Sequence, residues 1–280
     1  MRRVFFLYSF LLLALSSPLN AQEKPIHVQV NGEGQNILFL PGFTNPGQIW
    51  NDFYTQLRGE WKGHFVTYAG FDKTEPISFP WYPQVKEALR KYVLDQDLKE
   101  VVLIGHSMGG NLAIDLAHDL PDRVAKLILV DTLPCMRELM FPGFTADQMV
   151  YESPFNQRTL SMKASDFQAM AQGMAQQMTK DPSQVEQLSQ WILDADRKTY
   201  VYGYTDLLKL DQRTLLPEIQ AKTLLLGATE PFGEQARINL EKQYAALAQK
   251  ELVMVEESRH FILFDQKDKM NTLINAFIND

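Results

Sequence analysis

Strand-like and helix-like segments alternate along most of this 280-residue chain, and that alternation predicts an α/β fold on a mainly parallel, twisted sheet flanked by helices. Three segments carry the prediction. Residues 101–104, 126–131 and 223–227 have nearly unbroken Val/Leu/Ile centres, as strands covered on both faces require. Between Pro134 and Pro217 no convincing strand is found and three segments read as helix, so an inserted helical cap is expected between two core strands. Composition agrees with a large buried core, at 45% hydrophobic and 22% charged. A net charge of −7 leaves no basic field to gather phosphates, which argues against a nucleic-acid partner. Cys135 is the sole cysteine, which excludes an intrachain disulfide and any multi-cysteine metal site.

The first residues read as an address rather than as part of the fold. Arg2 and Arg3 precede an apolar run at 4–15, which Ser16, Ser17 and Pro18 interrupt before Asn20 and Ala21. This is the pattern of a cleavable export signal, with the cut expected between Ala21 and Gln22 and a periplasmic or secreted product. The run is short of the roughly 20 residues that a membrane-spanning helix needs, so no stable membrane anchor is expected. The chain then divides into a core formed by 22–133 and 218–280 and a cap at 134–217.

Within the core, strands are expected at 26–30 and 36–40, joined as a hairpin through Asn31-Gly32-Glu33-Gly34. A helix at 48–58 would bury Trp50, Phe53, Tyr54 and Leu57. A strand at 64–69, a helix at 83–94 opened by Pro83, and the strand at 101–104 follow. The cap contributes helices at 165–178, 182–193 and 196–208. The core resumes with 223–227, a strand at 252–255 and a terminal helix at 267–278, with Asp265 as its expected cap. Seven of the eleven methionines fall in the cap, and Met170, Met174 and Met178 repeat at spacing four. Such a stripe suits a soft packing face or an adaptable apolar wall over a pocket.

The chemistry centres on Gly105-His106-Ser107-Met108-Gly109, set between an apolar strand and an amphipathic helix. A sharp turn there lifts the serine hydroxyl above the sheet, and the flanking glycines let strand and helix approach without Cβ clashes. The following helix points its first amides at negative charge formed beside the serine. A nucleophilic serine needs a base, and of five histidines only His260 follows the last strand. His27 and His64 lie in strands, His106 should point away from the serine, and His118 sits far down the helix. Gly32-x-Gly34 has no third glycine, and no Walker sequence or His-x-x-x-His pair is present, so neither a nucleotide nor a metal is implied.

Gly105-His106-Ser107-Met108-Gly109-Gly110, Leu40-Pro41-Gly42-Phe43-Thr44 and Ser258-Arg259-His260-Phe261 resemble the α/β-hydrolase superfamily, in its capped, esterase- and lipase-like branch. The resemblance covers nearly everything except the cap, and Pro41 stands where the family usually has histidine. It implies a Ser107–His260 pair, an oxyanion hole from the backbone N–H groups of Phe43 and Met108, and no cofactor. It offers two places for the third member. Glu230, three residues after Gly227, holds the commoner position and is expected first; Asp131, at the end of the strand before the cap, is the alternative. The implied activity is an exported serine esterase acting on a small-molecule ester of small or medium size, mostly apolar. Cleavage of a C–C, amide or thioester bond, or a low-turnover binding role, are the alternatives.

Overall fold

Strands that are apolar on both sides can be covered only in the middle of a sheet, and this rule orders the molecule. The computed structural model describes residues 24–280; the expected export signal lies outside them. β1 (Ile26–Asn31) is half exposed and takes one edge. β2 (Gln35–Leu40) has Ile37, Leu38, Phe39 and Leu40 all at 0% exposure and lies inside the sheet. After a 3₁₀ turn at Gly47–Trp50 and the short helix α1 (Asn51–Tyr54) comes β3 (Trp61–Tyr68), then α2 (Trp81–Asp95), β4 (Val101–His106), α3 (Met108–Asp119) and β5 (Val124–Val130).

The cap follows as α4 (Met136–Met140), α5 (Pro154–Leu160), α6 (Ala164–Met178), α7 (Pro182–Asp194) and α8 (Arg197–Lys209). The core resumes with β6 (Lys222–Ala228), α9 (Glu234–Gln243), β7 (Lys250–Val255), α10 (Ile262–Asp265) and α11 (Lys267–Ile278). The sheet runs β1-β3-β2-β4-β5-β6-β7, parallel except for β1.

Two expectations need correction. β1 and β2 are not a hairpin, because β1 pairs antiparallel with β3 and β3 separates them. The turn between them instead packs on the start of β3: a Cβ on Gly32 would lie 2.5 Å from Trp61 O, and one on Gly34 2.2 Å from Glu60 O. The helix expected at 48–58 ends at Tyr54. Its continuation is held open by Asn275 of α11, which accepts from Arg58 N at 2.7 Å and donates to Gln56 O at 3.1 Å.

Alternation along the inner strands feeds two cores. Leu38, Leu103 and Leu127 pack with Leu89 of α2 and Leu112 of α3, whereas Ile37, Ile104 and Ile128 pack with Trp50, Ile274 and Phe277. Each such side chain stabilises the fold by about 1.5–3 kcal/mol. Strand order reverses between β2 and β4, the place in an open α/β sheet where a crevice opens at the strands' carboxyl ends. Leu40 is in register with Gly105 there, so the loop after β2 meets the turn after β4.

The cap is fixed to this edge by directed bonds. Ser153, Asp181 and Asp196 cap the N-termini of α5, α7 and α8. Asp206 of α8 accepts from the Trp81 and Tyr82 amides in the first turn of α2, at 2.7 and 3.2 Å, and from Tyr151 Oη at 2.5 Å. One buried carboxylate thus joins two cap segments to the core.

Candidate active site

Ser107 stands at the turn between β4 and α3 with φ 53° and ψ −124°, a conformation that L-residues rarely adopt. The surroundings enforce it. A Cβ on Gly105 would lie 2.4 Å from Gly109 O, and one on Gly109 2.1 Å from Leu40 O. The serine amide donates to Val130 O at 2.9 Å, and Thr132 Oγ1 donates to Ser107 O at 3.1 Å. The main chain is therefore held while the side chain faces the crevice.

His260 lies on the loop between β7 and α10, and its Nδ1 is 2.7 Å from Asp131 Oδ2. Asp131 follows β5 with φ 47°. Its Oδ1 accepts from Ala228 N at 3.0 Å, and its own amide donates to Leu226 O at 2.7 Å. The carboxylate is thus aimed by the end of β6, and it fixes the His260 tautomer that carries hydrogen on Nδ1 and leaves Nε2 free to accept. Ser107 and His260 line one cavity. Among the described residues no hydrogen bond joins Ser107 Oγ to the ring; such contacts commonly tighten only with substrate bound.

The expected ranking of the two acids is reversed. Glu230 faces Lys180 Nζ at 2.7 Å and Arg259 Nε at 4.0 Å, while its amide donates to Ser258 O. Two cations thus hold its carboxylate, and Asp131 occupies the bonding position at His260. Asp265 also differs from expectation. The residue at the start of α11 is Gln266, without a side-chain cap. Asp265 instead accepts from Thr179 Oγ1 at 2.5 Å and from the amides of Lys180 and Arg259, each at 2.8 Å. It ties the end of α6 to the His260 loop, and Arg259 adds a bond from Nη1 to Gln176 O at 2.7 Å, a cation at a helix C-terminus.

His106 is fully buried and donates from Nε2 to His260 O at 3.0 Å. Burial, with the neighbouring His260, holds its pKa well below the usual histidine range, so it supports the loop as a neutral ring. His64 is buried in β3, His118 bonds Asp119, and His27 lies on the edge strand. Phe43 and Met108 both line the cavity beside Ser107. Among the described residues their amide N–H groups have no protein acceptor, so both donors remain available for an oxyanion.

The cavity measures about 680 Å³. The cap side presents Met136, Met140, Met174 and Met178, with Leu188 and Ile192 of α7 beyond them. The methionine stripe is therefore both packing face and cavity wall, with Met170 turned instead into a small core around Phe167. Sequence reasoning missed two contributors: Tyr200 and Tyr204 of α8, whose spacing of four was the available signal, and α9, whose polar face supplies Gln235 and Asn239. Among the described residues no three His, Cys, Asp or Glu side chains converge as a metal site.

Residues 37–272 match the alpha/beta hydrolase family. The chain belongs to that family. The hydrolase is 25% identical over 270 residues to the pimeloyl-[acyl-carrier protein] methyl ester esterase of Aeromonas salmonicida, covering 90% of this chain and 99% of that one. Among solved structures it resembles an esterase from Exiguobacterium antarcticum, with a TM-score of 0.76, 20% identity, and coverage of 91% of this chain and 96% of that one. It also resembles the enol-lactonase from Burkholderia xenovorans, with a TM-score of 0.74 and 14% identity over 91% of this chain and 96% of that one. These likenesses extend through the cap as well as the core of the hydrolase.

Proposed function

We propose that this hydrolase is an exported serine esterase that cleaves small or medium, mostly apolar esters. The observation that carries the reading is the 2.7 Å bond between His260 Nδ1 and Asp131 Oδ2 beside a cavity that Ser107 also lines. Ser107 Oγ attacks the ester carbonyl while His260 Nε2 takes its proton, and Asp131 stabilises the resulting imidazolium. The amides of Phe43 and Met108 hold the oxyanion. His260 then protonates the departing alkoxide, leaving an acyl group on Ser107. A water molecule, deprotonated by the same ring, releases the acid and restores the serine.

The cavity supports a neutral, largely apolar substrate, because among the described residues its only ordinarily charged lining residues are Asp131 and Glu230, both acidic. A carboxylate-bearing substrate would meet no cation on that lining. The Aeromonas relative, named for a methyl ester, supports ester hydrolysis over amide or C–C cleavage. Export rests on Arg2, Arg3 and the apolar run up to Leu15, and a secreted product beginning near Gln22 would be its sign. The deciding experiment is labelling with a fluorophosphonate followed by peptide mapping. The label is expected on Ser107 and absent from Ser107→Ala, whose ester turnover falls to background; full turnover by that variant would overturn the mechanism.

A further inference from the structure

Tyr200 and Tyr204 stand one turn apart on α8, and both line the cavity over Ser107. Their rings pack against Phe43, with centroids 6.0 and 5.6 Å away, so they are held beside the residue whose amide would bind the oxyanion. Both side chains are partly buried, and a tyrosine hydroxyl withdrawn from bulk water ordinarily finds an oxygen or nitrogen partner. Here, among the described residues, the acceptors are sulfur alone. Tyr200 Oη donates to Met174 Sδ at 3.3 Å, and Tyr204 Oη to Met140 Sδ at 3.3 Å and Met136 Sδ at 3.9 Å. A thioether is a weak acceptor on a side chain that readily changes rotamer. Burial pushes both phenols up to about 12, so they keep their protons and act as donors at neutral pH.

The geometry points to Tyr200 and Tyr204 as a specificity pair that binds a neutral oxygen on the substrate, separate from the scissile ester, displacing the methionine sulfurs as it enters. The inference rests on the esterase reading and deepens it: the preferred substrate carries a ketone or similar uncharged oxygen in an otherwise apolar acyl chain. A carboxylate is disfavoured because, among the described residues, no lysine or arginine lines the cavity. A plain hydrocarbon chain fits the methionine wall but leaves both hydroxyls on sulfur.

The test compares methyl hexanoate with methyl oxohexanoates bearing the ketone at the fourth or fifth carbon. Dissociation constants are measured by NMR titration of Ser107→Ala. At least one keto ester is expected to bind about tenfold tighter than its hydrocarbon counterpart, the scale of one well-placed hydrogen bond. Adding Tyr200→Phe or Tyr204→Phe, which keep the ring against Phe43, should bring that ratio towards one. A ratio near one in Ser107→Ala itself, or one that survives both tyrosine changes, overturns the proposal. Turnover of the same esters by the wild-type protein is followed in parallel. Binding preference without any hydrolysis would sink the esterase reading alone, and hydrolysis without preference would sink only the tyrosine pair.

Discussion

Asp131 and Glu230 differ by one methylene and lie at the ends of neighbouring strands, yet their partners separate them. Asp131 bonds His260, while Glu230 is neutralised by Lys180 and Arg259. Asp131→Asn should therefore lower kcat by about 10⁴-fold, through loss of the correct histidine tautomer. Glu230→Gln should stay within a few-fold of wild type, because an exposed ion pair contributes at most about 1 kcal/mol. Steady-state kinetics on one p-nitrophenyl ester checks both, and the opposite ranking would return the role to Glu230. A second histidine matters for stability instead. His64 is buried between Tyr92 Oη at 2.8 Å and Asn36 Oδ1 at 3.1 Å, and burial, with Lys62 nearby, lowers its pKa from 6.5 to about 4. The unfolded chain takes up this proton near pH 6.5 and the folded chain only near 4, so stability falls as pH drops through that window. His64→Gln should flatten the decline of Tm there; an unchanged slope would acquit this residue.

Secondary elements were legible where one physical signal dominated. Strands β4, β5 and β6 were legible because burial on both faces gives them nearly unbroken apolar centres, and Ser107 with its glycines was readable because the turn tolerates little else. Pairing partners were less visible. The turn at Asn31–Gly34 looks alike whether it closes a hairpin or starts a crossover, and only the burial of Ile37, Leu38, Phe39 and Leu40 settles β2 between β3 and β4. The acid at His260 was hidden for a related reason: the family resemblance offers both Asp131 and Glu230, but the nearby cations come from the end of α6 and the His260 loop. Asp265 shows the same limit, since a carboxylate before a helix reads as a cap until its long-range partners are known. Its three bonds join the cap to the loop that carries His260. Asp265→Ala should cost about 1–3 kcal/mol of stability and lower kcat more than it raises KM. Urea unfolding and steady-state kinetics read the two effects, and a loss of stability with kcat unchanged would confine Asp265 to a structural role.

At the scale of the molecule, the sheet supplies the reacting groups and the cap decides what reaches them. The cavity of about 680 Å³ is within the range of small-molecule sites. Each acyl methylene buried against the methionines and Leu188 is worth about 0.8 kcal/mol. That gain continues only while the chain stays beneath the cap. Past Leu139 and Met140, which line the cavity and are themselves 39% and 48% exposed, further methylenes return to water and contribute nothing. Across p-nitrophenyl esters, kcat/KM should therefore climb from acetate to about butyrate or hexanoate and then fall towards palmitate, whose added length must bend or protrude. Met140→Ala opens the same rim. It should move the optimum towards longer chains, because deleting the side chain clears the rim around which a long acyl chain must otherwise bend, without touching Ser107, His260 or Asp131. A specificity that rises steadily through palmitate in the wild-type protein would mean that the cap swings away from the cleft during catalysis, and that its methionine wall bounds the resting cavity alone.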